Sequence, residues 1–85
     1  VLRRRACEQI ASACDLTSRE VQVLELLSMG NSYKKISEDL GLSMNTVTSY
    51  VKDLYRKTGL HEKQEVINRV GDIMRDAMRS DLQPR

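Results

Sequence analysis

The sequence predicts an all-α domain, four packed helices preceded by an additional N-terminal leading helix. Three observations carry that expectation. Apolar residues recur at three- and four-residue intervals, and no stretch alternates strictly as a half-buried strand does. Gly30, Gly41 and Gly59 fall where helices of ordinary length would end, while the single proline, Pro84, lies beside the C-terminus. The core must also be aliphatic, because the chain has no Trp, no Phe and three Tyr.

Taken in order, Val1 to about Ala13 reads as the leading helix, with Leu2, Ala6, Ile10 and Ala13 at helical spacing. Arg3, Arg4 and Arg5 sit near its start, where cations oppose the macrodipole, so the first turn is expected to fray or to belong to a linker. Residues 1–15 are read as linker or leading helix, 16–80 as the domain and 81–85 as a disordered tail. Cys7 and Cys14 are seven residues apart, roughly 10 Å along a helix and too far for a disulfide. They have neither CxxC spacing nor a companion histidine, so two free thiols are expected and no metal site.

The next helix has a strong start signal. Thr17 followed by Glu20 is a capping box, in which each side chain satisfies the other's backbone N–H, and Leu16 can staple onto Val21. The helix runs to about Met29. Val21, Val23, Leu24, Leu26 and Leu27 are too many for one stripe, which makes this the central helix, covered from several sides.

Ser32 then caps a short helix, Tyr33 to Leu40, with Ile36 and Leu40 inward and Tyr33, Lys34, Lys35 and Glu38 largely outward. Gly41 turns the chain and Ser43 caps a longer helix that ends at Gly59. Val47, Val51, Leu54 and Thr58 form its buried stripe; Asn45, Thr48, Ser49, Lys52 and Arg56 form a polar strip that becomes cationic toward the C-terminus. Short helix, tight turn and longer projecting helix make a helix-turn-helix, whose second helix is narrow enough to enter the DNA major groove. From Glu62 to about Ser80 a last helix carries Val66, Val70, Ile73 and Ala77 on one stripe, and Ile67, Met74 and Met78 on a second. The surplus stripe predicts a partner surface, and a homodimer through this helix is the expected occupant.

Composition bounds the rest. The apolar share of 40% is ordinary for a soluble domain, and the net charge of +2 includes no strongly polybasic segment. One copy would hold few phosphates, so useful affinity for nucleic acid calls for dimerisation or a tethered domain. No apolar run is long enough to span a membrane, no signal peptide is visible, and a cytoplasmic location is expected. The chain opens on Val1 rather than Met, so it is read as a fragment, with the nature of the missing N-terminal part open between a sensor, a receiver and a membrane domain. No enzyme is expected: His61 lies in a loop where capping or surface exposure explains it, and there is no Gly-rich phosphate loop. No catalytic residue and no cofactor is assigned.

Several motifs now add up to a resemblance. Leu16-Thr17-x-Arg19-Glu20, Val23-Leu24-x-Leu26-Leu27, Gly30, Ser32-x-Lys34-Lys35-Ile36, Leu40-Gly41-Leu42-Ser43, Thr46-Val47 and Tyr55-Arg56-Lys57-x-Gly59 resemble the LuxR-type DNA-binding domain of bacterial transcription regulators. The resemblance covers residues 16 to about 70. It implies a four-helix fold whose third helix reads DNA and whose fourth commonly dimerises. It also implies that Glu20 orients basic side chains, that Asn31, Ser32, Lys34, Lys35, Thr46, Arg56 and Lys57 meet phosphates of double-stranded DNA, and that Thr48, Ser49 and Lys52 face base edges. RNA polymerase is a further partner compatible with it.

The chain departs from the family at several positions. Thr48 stands where Lys is usual, Tyr50 where His is usual, Ser37 for Ala and Thr58 for Leu, so base preference cannot be carried over, and the Thr58 hydroxyl needs a carbonyl partner. Two other readings compete. A sigma-factor promoter-reading domain shares the Leu-Thr-x-Arg-Glu start but is disfavoured by the Tyr55-Arg56-Lys57-x-Gly59 ending and the long last helix. A helical protein-interaction module that has lost DNA binding draws on the absent lysine at position 48.

Overall fold

A computed structural model describes residues 2–82, with side-chain surroundings through residue 79. They form five helices: α1 Leu2–Cys14, α2 Ser18–Ser28, α3 Tyr33–Leu40, α4 Met44–Thr58 and α5 Lys63–Leu82. No strand occurs among the described residues.

The helix ends follow from local chemistry. Thr17 Oγ1 accepts from the Glu20 N–H at 3.2 Å and Glu20 Oε1 accepts from the Thr17 N–H at 2.8 Å, which closes the capping box of α2. Ser32 and Ser43 cap α3 and α4, each accepting from the third residue on, Lys35 and Thr46. Gly41 and Gly59 end those helices in the left-handed region, at φ 67° and 77°. The last helix begins at Lys63 and runs through residues 81 and 82, two residues into the stretch expected to be a disordered tail; residues 83–85 lie outside the described residues.

Packing makes α2 the hub, in contact with all four other helices. Its Val23, Leu24 and Leu27 are fully buried, and Ile36, Val47, Val51, Leu54, Val66 and Val70 close around them from α3, α4 and α5. The hydroxyls on these faces find local acceptors. Ser37 Oγ donates to the Lys34 carbonyl at 2.6 Å and Thr58 Oγ1 to the Leu54 carbonyl at 2.7 Å, so both family departures are satisfied within their own helices.

The leading segment corrects the sequence reading. It is helical from Leu2, including the first turn expected to fray or to belong to a linker. Arg3 Nη1 donates to Ser28 Oγ at 3.1 Å and to its carbonyl at 3.2 Å, and Arg4 lies 3.6 Å from Glu25, so interactions with α2 tie down the turn that the macrodipole disfavours. The buried stripe of α1 is Ala6, Cys7 and Ile10, with Cys14 half-buried beyond it; Ala13, expected inward, is exposed. Both thiols are free, and burial pushes the Cys7 thiol up to about 11. Tyr33, expected outward, is half-buried against the core. The Tyr55 hydroxyl is pushed up to about 12 by burial first and by Tyr33 second.

Candidate nucleic-acid interface

One face of α4 is laid out by helical spacing alone. Asn45, Ser49, Lys52 and Arg56 recur at intervals of four, three and four residues, and all four are exposed. Val47, Val51 and Leu54 are buried on the opposite side, which fixes the rotation of the helix and turns this row outward. The cation at its C-terminal end is oriented within the helix: Arg56 Nη2 lies 3.3 Å from Asp53 Oδ1. Basic residues in the last turn also complement the helix dipole.

At the start of α4, Ser43 Oγ and Thr46 Oγ1 are 2.8 Å apart and the Ser43 oxygen also takes the Thr46 N–H. Thr48 is half-buried, and its hydroxyl donates back to the Met44 carbonyl at 2.9 Å. On α3, Ser32, Lys34 and Lys35 are exposed around the N-terminal turn, with Lys35 Nζ 3.0 Å from Asp39. The turn of Gly41 and Leu42 joins the other end of α3 to α4 and is held by the Leu42 N–H to the Ser37 carbonyl at 2.9 Å.

Two residues expected to meet phosphates are engaged inside the domain. Asn31 Nδ2 donates to the Leu26 carbonyl at 3.0 Å and braces the end of α2. Lys57 Nζ lies 2.9 Å from Glu20 Oε1 and 3.4 Å from the Asp15 carbonyl, with a quarter of its side chain exposed. Glu20 itself is 2% exposed. Burial opposes its ionisation, but the Thr17 N–H and the Lys57 ammonium outweigh burial and hold its carboxyl below the ordinary carboxylate value. The pair bolts the C-terminal end of α4 to the first turn of α2. The Asn31 bond is local to the end of α2, five residues apart, whereas Lys57 and Glu20 come together only when the helices pack.

The residues expected at a dimer surface are not alike. Met74 packs partly on the core, Ile67 is half-buried and Met78 is 51% exposed. All three border a shallow groove on α5 that Arg3 and Ser28 flank. Sequence reading passed over Met44 and Asp53. Met44 is 48% exposed in the first turn of α4, and its signal was its place one turn before Thr48. Among the described residues no group of His, Cys, Asp and Glu is arranged to hold a metal ion, and no helix is long and apolar enough to cross a membrane.

Comparison with known proteins agrees with this arrangement. The family of bacterial regulatory proteins of the luxR type matches residues 14–70. The HTH-type transcriptional activator RamA of Corynebacterium glutamicum is 32% identical over 60 residues, covering 71% of this chain and 21% of that protein. The HTH-type transcriptional regulator MalT of Serratia proteamaculans is also 32% identical over 60 residues, covering 71% of this chain and 7% of its own. No solved structure matches. The chain thus spans about a fifth or less of the length of these relatives. With the motifs, the five helices and a family match over most of its length in agreement, the chain belongs to the luxR family of bacterial regulatory proteins.

Proposed function

We propose that this chain is the DNA-binding effector domain of a bacterial transcription regulator, which binds double-stranded DNA sequence-specifically with α4 in the major groove. The observation that carries the reading is the exposed row Asn45, Ser49, Lys52 and Arg56 on the projecting helix of a helix-turn-helix, opposite a buried aliphatic stripe. Thr48, Ser49 and Lys52 face base edges in this reading. Ser32, Lys34, Lys35, Thr46 and Arg56 grip phosphates from both sides of the turn; Asn31 and Lys57 hold the frame that aims them. No step of catalysis is assigned. The names of the relatives, a transcriptional activator and a transcriptional regulator, support a regulatory setting; a cytoplasmic location, with sensing or receiving by parts of the protein beyond this chain, belongs to the same reading.

The functional unit is a homodimer in this reading, formed through α5, where Ile67, Met74 and Met78 leave apolar surface beside the groove. A second copy doubles the few phosphates that one domain can hold. Charging this face with Met74→Glu is expected to shift sedimentation toward the monomer; an unchanged profile moves the interface elsewhere.

The deciding experiment is selection of random duplexes by this chain across a salt series, with sequencing of the retained DNA. Enrichment of a short motif with a salt slope set by the number of phosphate contacts supports the reading. Absence of binding at low salt supports the protein-interaction module instead. On the selected site Lys52→Ala is expected to cost about 1–3 kcal/mol, and an equal loss on random DNA would make Lys52 a phosphate contact.

A further inference from the structure

Beside the polar row of α4 runs a second one, Met44, Thr48 and Lys52, spaced four residues apart. Its first member is a large apolar side chain left 48% exposed on a helix whose other large aliphatic residues are buried. Its second, Thr48, donates its hydroxyl back to the Met44 carbonyl at 2.9 Å. That bond uses the hydroxyl's proton within the helix, so the half-buried Thr48 side chain offers its methyl group and an acceptor oxygen but no donor. Met44 and Thr48 therefore present an apolar strip on the flank of the helix, ending at the cation of Lys52.

Solvent does not reward such a strip, but one base feature does. In the major groove the base edges offer donors and acceptors, and the apolar group among them is the 5-methyl of thymine. We propose that Met44 and Thr48 read thymine methyl groups, so that part of the domain's base preference comes from apolar contact and not from a hydrogen bond made by Thr48. This rests on the reading that α4 enters the major groove, and it assigns chemistry to the position where the family's usual lysine is replaced. Lys52, one turn further along the same row, faces base edges next to the strip in the same reading.

The test begins with the duplex that the wild-type chain enriches. Each thymine in it is replaced in turn by deoxyuridine, which removes the methyl group and nothing else. Replacement at one or two positions is expected to weaken wild-type binding roughly three- to fivefold, the scale set by one apolar group returned to water. Thr48→Val keeps the methyl and is expected to bind like wild type, with the same sensitivity to uracil. Thr48→Ser keeps the hydroxyl and is expected to bind the thymine duplex as weakly as wild type binds the uracil duplex, with no further loss on uracil at that position. Met44→Gln is expected to abolish sensitivity at the neighbouring position, and circular dichroism confirms that each variant stays helical. Full affinity of Thr48→Ser, loss of affinity in Thr48→Val, or an enriched site indifferent to uracil overturns the methyl reading alone. Failure of the wild-type chain to enrich any sequence overturns the base-reading assignment as well.

Discussion

At the scale of single residues the most consequential contact is Glu20 to Lys57, which joins the first turn of α2 to the last turn of α4. Removing one member of a buried pair leaves the other without compensation, and Glu20→Ala is expected to cost about 3 kcal/mol by urea denaturation. The sign of its pH dependence follows from the lowered carboxyl value. The folded state binds the proton less readily than the unfolded chain, so this stabilisation is complete above the ordinary value of 4.5 and disappears as pH falls through the lower folded value. Wild type and Glu20→Gln should therefore differ in stability at neutral pH and converge in acid. A constant difference down to the acid limit would show that neither the Thr17 N–H nor Lys57 holds the Glu20 carboxyl below its ordinary value. The capping half of this residue was legible from Thr17-x-x-Glu20, since a cap is local. The Lys57 half came only as an implication of the family resemblance, and the partner's identity required the packed helices.

At the scale of elements, α4 matters most, and its limits are set by Ser43 and Gly59. Gly59 sits at φ 77°, and an added Cβ would meet nothing within 4 Å. A substitution there is opposed by backbone conformation and not by a clash. Gly59→Ala is accordingly expected to cost about 1 kcal/mol, seen as a lower urea midpoint with an unchanged slope. A cost near zero would mean that the chain can leave α4 without the left-handed turn. Helix limits of this kind were readable because caps and stops act over three or four residues. The orientation of side chains was readable only where burial was one-sided. Val47, Val51 and Leu54 gave a clear stripe on α4, whereas Tyr33 on the short α3 read as outward and proved half-buried, because it packs against the shared core.

At the scale of the whole molecule, α1 is part of the folding unit. Ile10 is 7% exposed and shares the core with α2 and α5. Truncating it to Ala is expected to destabilise the domain by about 2–4 kcal/mol, as for other buried aliphatic side chains. A linker residue would change stability by no more than about 0.5 kcal/mol, so a denaturation curve separates the two descriptions. Of the three arginines near the start of α1, Arg3 bonds Ser28 and Arg4 lies against Glu25. Arg5 stays exposed, as do Lys34 and Lys35 of α3 and Lys52 and Arg56 of α4.

The sequence by itself determined the all-helical class, the central place of α2, the helix-turn-helix and the polar face of α4. Each of these rests on periodicity, caps and turn residues, whose physics extends over one or two turns of chain. Tertiary structure alone decided that Cys7 belongs to the core, that Lys57 braces the frame, that Arg3 and Arg4 are tied to α2, and that Met44 stands exposed beside Thr48. Those outcomes depend on which distant side chain arrives opposite, or on none arriving at all, and that is settled only when the helices pack.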